Sequence, residues 1–161
     1  MSKYRALAIY EYDDFIREKL YLLKGCFDIE LAPIFLSDFG PILRLIYAGY
    51  YVVPVPSYIV EDEIREFNHV EEIFAPLKLT FMKIIKKTTR IKQSDQKVDK
   101  RKNIINFLEV KNGELITNKK ILLVDDVYTT GSTIDACIKL LEPYKPKKIS
   151  ILVMSKVIMK D

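Results

Sequence analysis

Two adjacent carboxylates, Asp125 and Asp126, are followed by a loop rich in hydroxyl groups, residues 129–133. Carboxylates accept hydrogen bonds from vicinal sugar hydroxyls. The hydroxyl and backbone N–H groups of such a loop, with the N-terminus of a following helix, suit a phosphate dianion. These residue types, in this order, predict a binding site for a sugar phosphate.

Regular elements on both sides would hold this segment in place. Residues 121–124 are all apolar, which is typical of a buried strand. After the loop, apolar residues from Ile134 to Leu141 recur with the spacing of a helix. The carboxylates therefore mark the carboxyl end of a strand, which is where open α/β sheets bind their ligands.

Residues 121–133 resemble the loop that binds phosphoribosyl diphosphate (PRPP) in type I phosphoribosyltransferases. That family has an apolar strand, two acidic residues, two mostly apolar residues, a variable residue, Thr-Gly, a small or basic residue, and Thr or Ser. The resemblance implies that Asp125 and Asp126 are catalytic residues that hold the ribose 2- and 3-hydroxyls. It also implies a loop around the 5-phosphate, made of Thr129, Thr130, Gly131, Ser132 and Thr133.

The chain departs from many nucleobase-salvage members at Thr129, because those members have an acid there that assists proton transfer at the base.

Three other interpretations compete with the phosphoribosyltransferase one. A response-regulator receiver domain needs more chain after Asp126 than is present. A Walker P-loop needs a G-x-x-x-x-G-K-[ST] motif that the chain lacks. In the third, Asp125 caps a turn and Ser132 caps a helix, with no ligand.

A second segment resembles the ComF family, the competence-associated phosphoribosyltransferase-like proteins. An apolar strand at 50–55 runs into Pro54 and Pro56 and then into Arg65-Glu66-Phe67-Asn68-His69, where the family has Val-Pro-Val-Pro and Arg-Gly-Phe-Asn-Gln. The resemblance implies a diphosphate loop, with Ser57 and Tyr58 near the leaving group and Arg65 binding substrate. An edge strand followed by a turn is the alternative. For His69, a surface or hood role is favoured over catalysis.

Residues 83–102 carry nine Lys or Arg and two Asp, whereas the whole chain has a net charge of only +4. A solvated face is the usual explanation of such a run. ComF-like proteins have a basic, mobile loop here, which implies a cationic lid that closes over PRPP, with Arg101 among the substrate-binding residues. The segment is also suited to contact single-stranded DNA.

Length and composition predict one domain, residues 1–161, with about 1–50 contributing to a hood. We expect a cytoplasmic protein without signal peptide or membrane insertion, and a possible homodimer. Cys26 and Cys137 match no metal-binding spacing, and the N-terminal zinc module of many ComF relatives is absent. No protein ligand to a metal is predicted.

Alternating elements predict an α/β fold of the type I phosphoribosyltransferase kind, with a mostly parallel sheet, helices on both faces and a small hood. The predicted strands are 4–10, 50–55, 81–87, 106–110, 120–125 and 148–156. The predicted helices are 13–25, an interrupted one at 28–48, 61–78, 98–104 and 132–142.

The resemblance implies a phosphoribosyltransferase, a glycosyltransferase that binds PRPP with Mg²⁺ carried on the PRPP. It would transfer phosphoribosyl to an unidentified nitrogen acceptor and release diphosphate. The alternative is a non-catalytic accessory protein of DNA uptake that binds single-stranded DNA or a partner such as a competence helicase.

Overall fold

The computed structural model describes residue 4 and residues 6–56, 68–87 and 104–158. The strands in these ranges are β1 (Ala6–Glu11), β2 (Tyr50–Pro54), β3 (Thr80–Phe81), β4 (Ile85–Lys87), β5 (Leu108–Val110), β6 (Lys120–Tyr128) and β7 (Lys148–Lys156). The α-helices are α1 (Asp14–Gly25), α2 (Gly40–Ile46), α3 (His69–Phe74) and α4 (Ser132–Leu141). Short 3₁₀ helices cover Ile29–Leu36, Ala75–Leu77, Ile104–Phe107, Gly113–Ile116 and Glu142–Tyr144.

The main sheet has five strands in the order β1-β7-β6-β2-β3, and every neighbouring pair in it is parallel. β6 lies at its centre and is apolar on both faces, as expected of a parallel strand covered on both sides. A separate antiparallel pair joins β4 to β5. The predicted α/β architecture with a mostly parallel sheet is confirmed.

Side chains that alternate along β6 enter two cores on opposite faces of the sheet. Leu122 and Val124 pack in the core that also holds buried residues of α1, the 3₁₀ helix at 29–36, α2 and α3. Ile121 and Leu123 pack in the other core, with buried residues of α4. Helices therefore cover both faces, and the two cores fix the direction in which the end of β6 points.

α1 runs from a side-chain cap to its predicted end at Gly25. The Asp13 carboxylate accepts a hydrogen bond from the backbone N–H of Ile16 at 2.8 Å, which satisfies one of the free donors of the first turn. One face of the helix then buries Ile16, Leu20 and Leu23 against the sheet. This packing fixes the position of the last turn.

Replacing Asp13 with alanine is expected to lower the free energy of unfolding by about 1 kcal/mol, because the N-cap acceptor is lost. Chemical denaturation followed by circular dichroism measures the change. Glu18→Ala removes an exposed carboxylate from the same helix without touching the cap, and should change stability by less than about 0.5 kcal/mol. Equal losses in the two variants would argue against the cap.

Several element boundaries differ from those predicted. The strand predicted at 81–87 is two strands in different sheets, because the chain leaves β3 after Phe81 and pairs again only from Ile85. The helical region at 28–48 begins as a 3₁₀ helix containing Pro33, and Pro41 lies in the first turn of α2. The helix predicted at 98–104 lies outside the described residues except at its last position.

β6 extends three residues beyond its predicted end, to Tyr128, and β5 begins two residues later than predicted, at Leu108. The helix predicted at 61–78 can be followed only from His69, where α3 and a 3₁₀ turn occupy the described part. Among the described residues, no helix combines the length and apolar character needed to cross a membrane.

Candidate functional site

The end of β6 carries the acid pair at the carboxyl edge of the main sheet. β6 pairs with β2 on one side and β7 on the other, and Val124 lies opposite Pro54. The backbone N–H of Val55 donates to the Val124 carbonyl at 2.9 Å, which keeps the two strand ends together. The two segments singled out from the sequence therefore meet at one edge.

Asp126 is a buried carboxylate held by two basic side chains. Its Oδ2 accepts a hydrogen bond from the Lys24 ammonium in the last turn of α1, and it lies 3.6 Å from Nε2 of His69 in α3. Burial alone would raise the pKa of Asp126, but the contacts with His69 and Lys24 outweigh it and hold the pKa well below its ordinary value. Asp126 is therefore a fixed negative charge.

Asp125 has the opposite tendency. Its Oδ1 accepts a hydrogen bond from the backbone N–H of Asp126 at 3.0 Å. Burial raises the pKa of Asp125 well above its usual range, and the neighbouring negative charge of Asp126 raises it further. The pair thus combines a carboxylate that stays ionised with one that takes up a proton more readily, a division often seen at functional sites.

The loop between β6 and α4 has the geometry of a tight turn before a helix. Gly131 has φ +79°, in the left-handed region, and its carbonyl accepts the backbone N–H of Asp135 at 2.8 Å in the first turn of α4. The hydroxyls of Thr130 and Ser132 lie 2.7 Å apart and are exposed or half-buried. A phosphate at this helix N-terminus would find hydroxyl and N–H donors.

Asp125, Asp126 and residues 129–133 lie in one continuous segment at the carboxyl edge of the sheet. The other predicted binding residues, Ser57, Tyr58, Arg65 and Arg101, lie outside the described residues. So do residues 88–102 of the basic segment at 83–102. Lys83, at its start, pairs with Glu71 of α3 at 2.7 Å.

A family model for the phosphoribosyl transferase domain matches residues 59–157, which include the acid pair, the phosphate-type loop and α4. The chain belongs to the phosphoribosyltransferase family. The matched range covers more than half of the chain and includes β6, α4 and β7.

The chain also resembles two competence proteins. It is 29% identical over 146 residues to Competence protein ComFC of Bacillus subtilis (strain 168), covering 89% of this chain and 60% of that protein. It is 30% identical over 142 residues to Competence protein ComFC of Streptococcus pneumoniae (strain ATCC BAA-255 / R6), covering 88% and 64%. The predicted ComF-like type I assignment is confirmed. The chain spans less than two thirds of the length of these relatives.

The solved structures that the chain resembles are more distant in sequence. A hypoxanthine phosphoribosyltransferase from Staphylococcus aureus is 13% identical, with a TM-score of 0.49, covering 83% of this chain and 77% of that one. A phosphoribosylpyrophosphate synthetase from Mycobacterium smegmatis is 19% identical, with a TM-score of 0.48, covering 77% and 34%.

Two residues of this candidate site were missed from the sequence. Lys24 lies at the end of an apolar helical pattern that is distant in sequence from the acid pair, and no local motif marks it. His69 was assigned a surface or hood role, yet its side chain is buried, with 5% of its surface exposed, and faces Asp126. The surface alternative for His69 is therefore wrong. The available signal in the sequence was a lone histidine next to Asn68. Asn68 caps α3 by accepting the Glu71 N–H at 3.1 Å.

Proposed function

We propose that the chain binds PRPP and transfers its phosphoribosyl group to a nitrogen nucleophile, releasing diphosphate. The observation that carries this proposal is the continuous segment from β6 to α4. In it, Asp126 lies near the carboxyl end of β6 with a pKa that favours its ionised form, and the hydroxyl-rich loop at 129–133 follows directly. Family membership supports the choice of PRPP over other sugar phosphates.

The phosphate loop would act as the fixed point for orientation. The backbone N–H groups at the start of α4, with the Thr130 and Ser132 hydroxyls, would hold the 5-phosphate. Asp126 and Asp125 would accept hydrogen bonds from the ribose hydroxyls. With both ends of the ribose phosphate held, C1 is presented to the acceptor in a defined direction.

In the reaction, the bond from C1 to the diphosphate oxygen breaks and a bond from C1 to the acceptor nitrogen forms. Negative charge near the ribose stabilises the positive charge that develops at C1. Thr129 offers no carboxylate for proton transfer, so the proton of the acceptor nitrogen must leave to another group or to water.

Mg²⁺ would reach the site on PRPP rather than on a protein cage. Among the residues that the structure describes, no group of three or more His, Cys, Asp or Glu side chains is arranged to hold a metal ion. Lys24 already occupies Oδ2 of Asp126. We therefore assign no side chain of the chain to Mg²⁺. When bound, the ion would neutralise charge on the diphosphate.

Thermal unfolding with PRPP, with and without Mg²⁺, tests the binding. A ligand at a hundredfold excess over its Kd stabilises a protein by about 2.7 kcal/mol, so PRPP should raise the melting temperature by several degrees. Ribose 5-phosphate should do the same without Mg²⁺, because it lacks the diphosphate. Diphosphate release with a panel of nucleobases and amines then tests turnover. No shift with either sugar phosphate would contradict the proposal.

Contact with single-stranded DNA is a second candidate, because a cluster of lysines lies at the opposite edge of the sheet. Lys120 and Lys148 are directly paired across β6 and β7, which places two like charges side by side at this edge. The adjoining turns, which contain Lys119 and Lys147, are hydrogen-bonded to each other at 2.9 Å. Oligonucleotide binding that weakens steeply with salt would support this candidate.

A further inference from the structure

The contact between Lys24 and Asp126 joins two segments that are distant in sequence, the last turn of α1 and the end of β6. The position of Lys24 is set by its own helix, since Leu20 and Leu23 are buried in the core and the N–H of Cys26 closes the last turn on the Leu22 carbonyl at 3.1 Å. The Lys24 side chain is about one third exposed and the Asp126 side chain is 10% exposed. The ammonium therefore reaches in from the rim.

His69 approaches the same carboxylate oxygen from another element. It is the first residue of α3, and the Asn68 cap fixes where that helix starts. Its Nε2 faces Asp126, whereas its buried Nδ1 has no hydrogen-bond partner among the described residues. Burying an imidazole that makes a single polar contact costs stability. We therefore assign the role of His69 to its contact with Asp126.

Stability does not account for the cluster. A buried ion pair contributes little net free energy, because desolvation of both charges offsets their attraction, and apolar residues of similar volume are often as stabilising. Lys24 and His69 instead act locally, on the carboxylate of Asp126. Both contacts fall on Oδ2, and the hydroxyl of Ser155 in β7 donates to the Asp126 carbonyl at 3.1 Å, so carboxylate and backbone are both fixed.

We propose that Lys24 and His69 are positioning residues for sugar-phosphate binding, which fix the charge and the orientation of Asp126 so that Oδ1 accepts from a ribose hydroxyl. This rests on the proposed function and extends it to two residues from outside the strand and loop that hold the ligand. Neither residue touches the reacting atoms. Their effect on the ligand passes through Asp126.

The pH dependence follows from the groups around Asp126. Lys24 comes from α1, His69 from α3 and Asp125 from the same strand, while the facing group on β7 is the hydroxyl of Ser155. Lys24 and His69 lower the pKa of Asp126. Removing either side chain raises the pKa of Asp126. As the pH falls, each variant therefore loses the ionised acceptor at a higher pH than wild type does.

The experiment measures the Kd of ribose 5-phosphate by calorimetry from pH 5 to pH 8, in variants Lys24→Met, His69→Leu and His69→Gln. Each value is divided by the wild-type value at the same pH, which removes titration of the phosphate of the ligand itself. Lys24→Met and His69→Leu should weaken binding about tenfold at pH 7, and more at pH 5. His69→Gln keeps an N–H donor and should stay within about threefold of wild type.

Lys19→Met is the matched control, since Lys19 lies on the same helix and is about as exposed as Lys24, but its ammonium contacts Glu18 and the Phe15 ring rather than Asp126. It should leave the Kd unchanged at every pH. If Lys24→Met fails to fold, Lys24→Gln keeps an N–H donor on a side chain one atom shorter than lysine, and it should show a smaller loss with the same pH trend. Variants that bind as tightly as wild type across the range would overturn the positioning role alone. A wild-type protein that binds neither ribose 5-phosphate nor PRPP would overturn the proposed function and this role with it.

Discussion

Replacing Gly131 with valine is expected to abolish binding of both ribose 5-phosphate and PRPP, because the two ligands share the 5-phosphate. Gly131 has φ +79°, a conformation that costs a side-chain-bearing residue about 1–2 kcal/mol. An added Cβ would also lie 2.6 Å from Cζ of Tyr128, so the ring or the loop must move. Either movement displaces the N–H groups at the start of α4. Calorimetry with ribose 5-phosphate measures the loss.

Gly49→Val provides a matched control for that substitution. Gly49 also has a positive φ, +77°, but a Cβ added there would meet nothing within 4 Å, and the residue precedes β2 at the opposite edge of the sheet. This variant should lose only the stability that the positive φ costs and should keep its ligand affinity. Native affinity for ribose 5-phosphate in Gly131→Val would rule out the loop as the phosphate site.

Replacing Asp125 and Asp126 together with asparagine is expected to lower PRPP affinity at least a hundredfold. Each charge-assisted hydrogen bond to a ribose hydroxyl contributes about 1.5–3 kcal/mol, or at least tenfold per residue. Asp135→Asn removes a carboxylate from the first turn of α4 and serves as the control. Unchanged affinity in the double variant would exclude the acid pair from ribose binding.

The two single variants should differ in stability at pH 7. The lowered pKa of Asp126 means that its stabilising effect is present above the pKa of an unfolded aspartate and is lost as pH falls through the folded value. Asp126→Asn should therefore melt at a lower temperature. The raised pKa of Asp125 means that its ionised form is penalised in the folded state, and that this penalty appears as pH rises. Asp125→Asn should be at least as stable as wild type in thermal unfolding.

The sequence predicted what is local to one segment. The apolar run, the acid pair and the Thr-Gly loop lie close together in the chain, and strand, turn and helix follow from their own residues. Asp13 likewise marks the start of α1 by a bond to a residue three positions away. Such features depend on short-range chemistry, which a sequence shows directly.

The environment of Asp126 could not be predicted in the same way. It depends on how α1 and α3 pack on one face of the sheet, and the sequence contains no measure of the distance between Lys24 and Asp126. The sequence marks the acid pair as the end of a strand and does not show that Asp126 is buried, with 7% of its surface exposed. Burial at that position follows from the helices that pack over it.

The place of β7 in the sheet has a consequence for how the protein is made. β7 lies between β1 and β6, and Ala6 of β1 is aligned with Ile151. In the described part of the chain β1 pairs with no other strand, so it has no partner until β7 has been translated. At 5–20 residues per second this interval lasts roughly 7–30 s. During it, the hydrogen-bonding edge of β1 is open to chaperones or to other nascent chains, and the edge of β6 joins it only near the end. The main sheet can close only after synthesis has passed residue 156.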